Sequence, residues 1–107
     1  MTPQHKSLAA GRWFHLSLAE QLGNAGSEYS RALNWKSRDE GKFNSATARF
    51  FELMDLTLAD PRWKGAARRE LARVREHSAE IFHGEATASK TFQKYFDQFA
   101  ILARTTK

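Results

Sequence analysis

The sequence predicts an all-α protein, an up-down-up-down four-helix bundle with a short N-terminal arm or extra helix. Three observations carry this prediction. Apolar residues recur at alternating spacings of four and three in separate segments, which draws one stripe along a helix and is incompatible with a strand. Connections between segments are about two to six residues long, so successive helices should lie antiparallel. The chain has 107 residues, 41% of them apolar, which suffices for one core and not for two domains. The expected organisation is an arm over residues 1–15 and a bundle over 16–107.

The first helix is expected from Leu16 to Lys36, with Leu18, Leu22, Ala25, Tyr29 and Ala32 as its stripe and Leu33 beside them. Gly23 and Gly26 interrupt it at roughly 1 kcal/mol each against Ala. Such small residues suit a site where another helix approaches closely. The second helix starts near Asp39 and ends at Ala59, with a stripe of Phe43, Ala46, Phe50, Leu53, Met54 and Thr57. Phe51, Leu56 and Leu58 fall outside this stripe, so the helix is apolar over more than one face. Asp60-Pro61 stops it, because the residue before a proline is pushed out of the helical region. The same pair is expected to open the third helix, with Asp60 as N-cap and Pro61 as its first residue. That helix runs to about His83 on a stripe of Ala67, Leu71, Val74, Ser78 and Ile81, with Phe82 alongside and Gly84 as the capping glycine. The fourth spans Ser89 to Arg104, with Phe92, Phe96, Phe99 and Ala103 in line and Tyr95 and Leu102 widening the stripe.

Composition narrows the function. No cysteine is present, which excludes a disulfide scaffold, a thiolate metal site and a thiol nucleophile. The polar N-terminus shows no secretory leader, and no apolar run approaches a membrane span. A cytoplasmic location without membrane contact is the expectation. Net charge is +5, and its placement is uneven. Arg62, Lys64, Arg68, Arg69, Arg73 and Arg75 face only Glu70 within one stretch of the third helix, a local +5 that equals the charge of the whole chain. Cations early in a helix oppose its dipole, and a local rule broken without local gain can mark function. The alternative is a solvated face, partly neutralised by near neighbours.

Each tryptophan stands beside a basic residue, in Arg12-Trp13, Trp35-Lys36 and Arg62-Trp63-Lys64. In an up-down bundle one pole would gather Arg12, Trp13, Arg62, Trp63, Lys64, Arg68, Arg104 and Lys107. Cations interleaved with rings suit a single-stranded nucleic acid, the charges meeting phosphates and the rings meeting bases. The alternative is that each indole caps the core while its neighbour reaches into water. Gln21, Asn24, Ser27, Glu28 and Arg31 crowd one polar face of the first helix, as a buried network or as a docking face.

Enzyme signatures are sparse. Glu80-x-x-His83 has the spacing of a bundle metal ligand pair, but a di-metal site needs a second such motif, and the second and fourth helices hold no histidine. No metal or cofactor is expected. Size and helical pattern resemble the HEPN class of small bundles, whose R-x(4–6)-H motif acts on RNA. Here Arg73 and His77 have three residues between them, while Arg69–His77 and Arg75–His83 have seven. The residues favour a non-enzymatic role over catalysis.

Two stretches carry a closer resemblance. Residues 18–32 read LAEQLGNAGSEYSRA and residues 55–65 read DLTLADPRWKG. They resemble a family of small bacterial proteins with EQLGNxGSE and DLTxxDPRWKG signatures, over roughly residues 16–104. The resemblance implies a bacterial, cytosolic setting and supplies no mechanism. Size and shape are similar to four-helix accessory bundles, which are basic and oligomeric; that similarity is one of analogy.

The leading expectation is a non-enzymatic accessory bundle that binds RNA or single-stranded DNA, beside a larger protein partner. Arg62, Lys64, Arg68, Arg69 and Arg73 would meet phosphates, and Trp63 and Trp13 would stack on bases. The second expectation is a homo-oligomeric or partner-docking module using Phe51, Leu56, Leu58 and Tyr95. A HEPN-like ribonuclease is the third.

Overall fold

The computed structural model describes residues 11–84. A 3-10 turn, Trp13–His15, precedes α1, Leu18–Trp35, then α2, Glu40–Ala59, and α3, Gly65–Phe82. The described residues are thus all-helical, with three helices and no strand. The fourth helix expected over 89–104, and Tyr95 with it, lies outside them.

Local chemistry sets the boundaries. A capping box opens α1: Glu20 N donates to Ser17 Oγ at 3.1 Å, and Ser17 N donates to Glu20 Oε1 at 2.9 Å. The chain leaves α1 through Ser37, whose φ of 68° is left-handed. Asp39 then caps α2 by accepting from Lys42 N at 3.0 Å. Lys42 Nζ sits 4.2 Å from the Trp35 ring centre and ties this turn to the end of α1.

The start of α3 departs from the sequence expectation. Asp60 does not cap it and Pro61 does not begin it; α3 starts at Gly65 after a turn over residues 60–64. The physical reason lies in the Asp60 carboxylate. Its oxygens accept from the Arg62 backbone and guanidinium and from Gln21, so they are engaged away from the amides of a helix. Gly65 enters the helix at φ +58°, a conformation open to glycine at no steric cost.

The expected stripes become the core. Leu22, Ala25, Tyr29 and Ala32 of α1 are buried against Ala46, Phe50, Leu53 and Met54 of α2 and Leu71, Val74, Ile81 and Phe82 of α3. Ala67 is the exception, exposed together with every residue from 64 to 70. Tyr29 and Phe82 pack in a tilted arrangement at 5.4 Å between centroids, and Phe50 meets Phe82 edge-on at 5.5 Å. Burial pushes the Tyr29 hydroxyl pKa up to about 12. Gln21 meets Asp60 and Tyr29 meets Phe50, so α1 and α2 run antiparallel. Arg68 reaches Leu58 and Arg75 reaches Asp55, so α2 and α3 do too. Among the described residues no helix is long and apolar enough to cross a membrane.

Candidate nucleic-acid interface

Trp13, Gln21, Asp60, Arg62 and Trp63 converge at one pole, where Trp13, Gln21 and Asp60 are buried, Trp63 is half-buried and Arg62 folds back from the surface onto Asp60. Asp60 is 1% exposed. Arg62 Nη2 donates to Asp60 Oδ2 at 2.6 Å and Arg62 Nε to Oδ1 at 3.0 Å. The same Nη2 donates to the Leu16 carbonyl at 2.6 Å. Gln21 bridges the pole. Its amide nitrogen donates to Asp60 Oδ2 at 3.0 Å and to the Trp13 carbonyl at 2.9 Å, while its oxygen accepts from Trp63 Nε1 at 2.8 Å. Trp13 Nε1 donates to Thr57 Oγ1 at 3.2 Å, and that hydroxyl donates to the Leu53 carbonyl at 2.8 Å. The Arg62 guanidinium lies 4.5 Å above the Trp63 ring.

The electrostatics follow from this geometry. Hydrogen bonds from the Arg62 side chain outweigh the cost of burial and hold the Asp60 carboxyl at about 2, below its ordinary 3.8. The Arg62 guanidinium is raised in turn by its bonds to Asp60. A charge so paired is a structural cation, and its attraction for a phosphate is largely cancelled. Trp13 is 8% exposed, so its faces do not present a platform to a base. Trp63 is half-buried and has Arg62 over its ring.

The rest of the basic segment divides in two. Arg68 donates to the Leu58 carbonyl at 2.9 Å, where a cation suits the C-terminal end of α2. Arg73 pairs with Glu70 at 3.0 Å, both well exposed, so the pair is weak and screened. Arg75 meets Asp55 at 2.6 Å and lies 4.8 Å over Phe51. Lys64 and Arg69 are exposed and make no ion pair among the described residues. No acidic residue stands in the first turn of α3, and its N-cap makes no side-chain hydrogen bond. The uncapped helix start, Lys64, Arg68 and Arg69 therefore form one exposed electropositive rim.

The apolar residues expected outside the α2 stripe are partly absorbed. Phe51, Leu56 and Leu58 are half-buried and packed on the core, with Phe51 edge-on to Phe50 at 5.2 Å. The polar face of α1 splits. Gln21 is fully buried, while Asn24, Ser27, Glu28 and Arg31 line an open groove with Arg12 and His15. Among the described residues, no group of three or more His, Asp or Glu could hold a metal ion. Glu80 of the E-x-x-H contacts His77 at 3.4 Å.

Gln21 is the residue that sequence reasoning failed to place. A signal was available, since two tryptophans near one pole bring two indole donors that need acceptors when buried. No protein-family model matches the chain, and no curated protein and no solved structure matches it.

Proposed function

We propose that this protein is a non-enzymatic helical module that binds RNA or single-stranded DNA along the exposed start of α3. A fourth helix over 89–104 completes the bundle in this reading, and the module works beside a larger partner in a bacterial cytoplasm. The observation that carries the proposal is the unneutralised pair Lys64 and Arg69 at a helix start that lacks an acidic cap. Arg68 and Arg73 extend the same rim. Lys64, Arg68 and Arg69, with Arg73 exchanging its weak surface partner Glu70, meet phosphates without reading base edges, so binding is electrostatic and tolerant of sequence. Arg62 and Trp13 are left out of the contact surface, because their polar groups are engaged inside the pole.

Fluorescence anisotropy with a labelled single-stranded oligonucleotide tests this. Binding should be measurable at low salt and weaken with a log–log salt slope of about −2 to −3, as expected for three or four phosphate contacts. Absence of binding at low salt overturns it.

A further inference from the structure

A groove of about 730 Å3 lies between the 3-10 turn, α1 and α2, a volume within the range of small-molecule sites. Leu16, Leu53 and Leu56 give it an apolar floor, while Asn24, Ser27 and Glu28 stand on its α1 wall. The wall presents acceptors. Asn24 Nδ2 already donates to the Glu20 carbonyl at 2.9 Å, and Ser27 Oγ donates to the Gly23 carbonyl at 3.3 Å. Glu28 Oε1 is buried without a hydrogen-bond partner. Arg31 approaches it only to 3.7 Å, too far for a hydrogen bond. A carboxylate oxygen in that state calls for a donor. At the rim, Arg12, His15 and Arg31 supply the opposite chemistry and suit an anion.

A flat apolar body, adjacent N–H donors and a phosphate satisfy all three surfaces. We propose that the groove binds a guanine nucleotide, free or as one residue of a strand. The base lies over the leucine floor, its N1 and N2 hydrogens meet the Glu28 carboxylate as that side chain turns from its buried position into the groove, and the phosphate, at the far end of the nucleotide from that edge, sits at Arg12. Guanine alone among the common bases shows two neighbouring donors on its Watson–Crick edge. Adenine and cytosine set an acceptor beside their donor, and uracil flanks its donor with two acceptors, so each turns a repelled lone pair toward Glu28. The inference stands on this groove and does not depend on the α3 rim.

Calorimetric titration of the full chain with guanosine monophosphate, adenosine monophosphate and inorganic phosphate is the test. The guanine nucleotide should bind at least about tenfold more tightly than the adenine one, and Glu28→Gln should remove that preference. The melting temperature of Glu28→Gln, unchanged from wild type, verifies that the variant folds. A strand arm compares oligouridine with the same strand carrying one guanosine. Preference in the first arm supports the free nucleotide, and preference in the second supports the strand residue. Equal binding of the guanine and adenine monophosphates together with equal binding of the two strands overturns the proposal, as does a preference that survives Glu28→Gln. Lys64→Glu with Arg69→Glu should leave guanosine monophosphate binding intact, which separates failure of the groove from failure of the α3 rim.

Discussion

Gln21 and Asp60 are 39 residues apart in the chain, yet the Gln21 side-chain amide donates to the Asp60 carboxylate at 3.0 Å. That bond joins the EQLGNAGSE stretch of α1 to the DPRWKG stretch that links α2 and α3. Gln21, Asp60, Arg62 and Trp63 complete one another's hydrogen bonding around the buried Gln21 and Asp60 side chains, and a half-satisfied network there would be costly.

Acid should loosen this pole. The Asp60 pKa is about 2 in the fold against an ordinary 3.8. A depressed carboxyl contributes stability that is present above the higher value and lost as pH falls through the lower one. Unfolding free energy should therefore fall by about 1–2 kcal/mol between pH 4 and 2, allowing for a partly exposed Arg62. Asp60→Asn should remove that part of the acid dependence. At neutral pH it should cost about 2–3 kcal/mol, because Arg62 loses its counter-charge. Chemical denaturation across this pH range reads both effects.

The indoles should matter for stability and not for strand binding. Trp63→Phe leaves Gln21 Oε1 without its donor and should cost about 1–2 kcal/mol. Trp13→Phe loses the bond to Thr57 and should lower the melting temperature while leaving oligonucleotide affinity within about twofold. A double-mutant cycle of Gln21→Met with Trp63→Phe should show a coupling of about 1 kcal/mol.

Two glycines should respond in opposite directions to alanine. Gly65 holds φ +58° with no heavy atom within 4 Å of an added Cβ. The penalty of Gly65→Ala is therefore conformational, about 1 kcal/mol. Gly41 lies in the first turn of α2, where an added Cβ meets Asp39 Oδ1 at an ordinary 3.6 Å. Gly41→Ala should stabilise by about half a kcal/mol. Thermal melts of the two variants check this pair.

Much of the fold is legible in the sequence because helical periodicity is a local property. Leu22, Ala25, Tyr29 and Ala32, like Leu71, Val74, Ser78 and Ile81, are buried where their spacing puts them. The start of α3 is illegible for the opposite reason. Asp60 before Pro61 has the local form of an N-cap, but its carboxylate is taken by the backbone and guanidinium of Arg62 and by a glutamine on another helix. Ala67 shows the same limit, since its place on the stripe is set by α3 while its exposure depends on how far α2 extends beside it. In the candidate interface, the excess of cations was visible as composition. Which of them are engaged was not, because Asp55 and Asp60 pair with Arg75 and Arg62, and the Leu58 carbonyl accepts from Arg68, from outside the basic segment or across the turn.

The central claim is that the exposed cations left over at the start of α3 bind a single strand. The most direct measurement compares two charge reversals of equal size by anisotropy in low salt. Lys64→Glu with Arg69→Glu acts at that rim. Lys36→Glu with Arg38→Glu acts at the α1–α2 turn, at the opposite end of the helices. The first pair should weaken binding at least about tenfold and the second by less than about threefold, because screening confines the effect to nearby charges. Equal losses from the two pairs would contradict the account, since they would make the attraction a property of net charge and not of this surface.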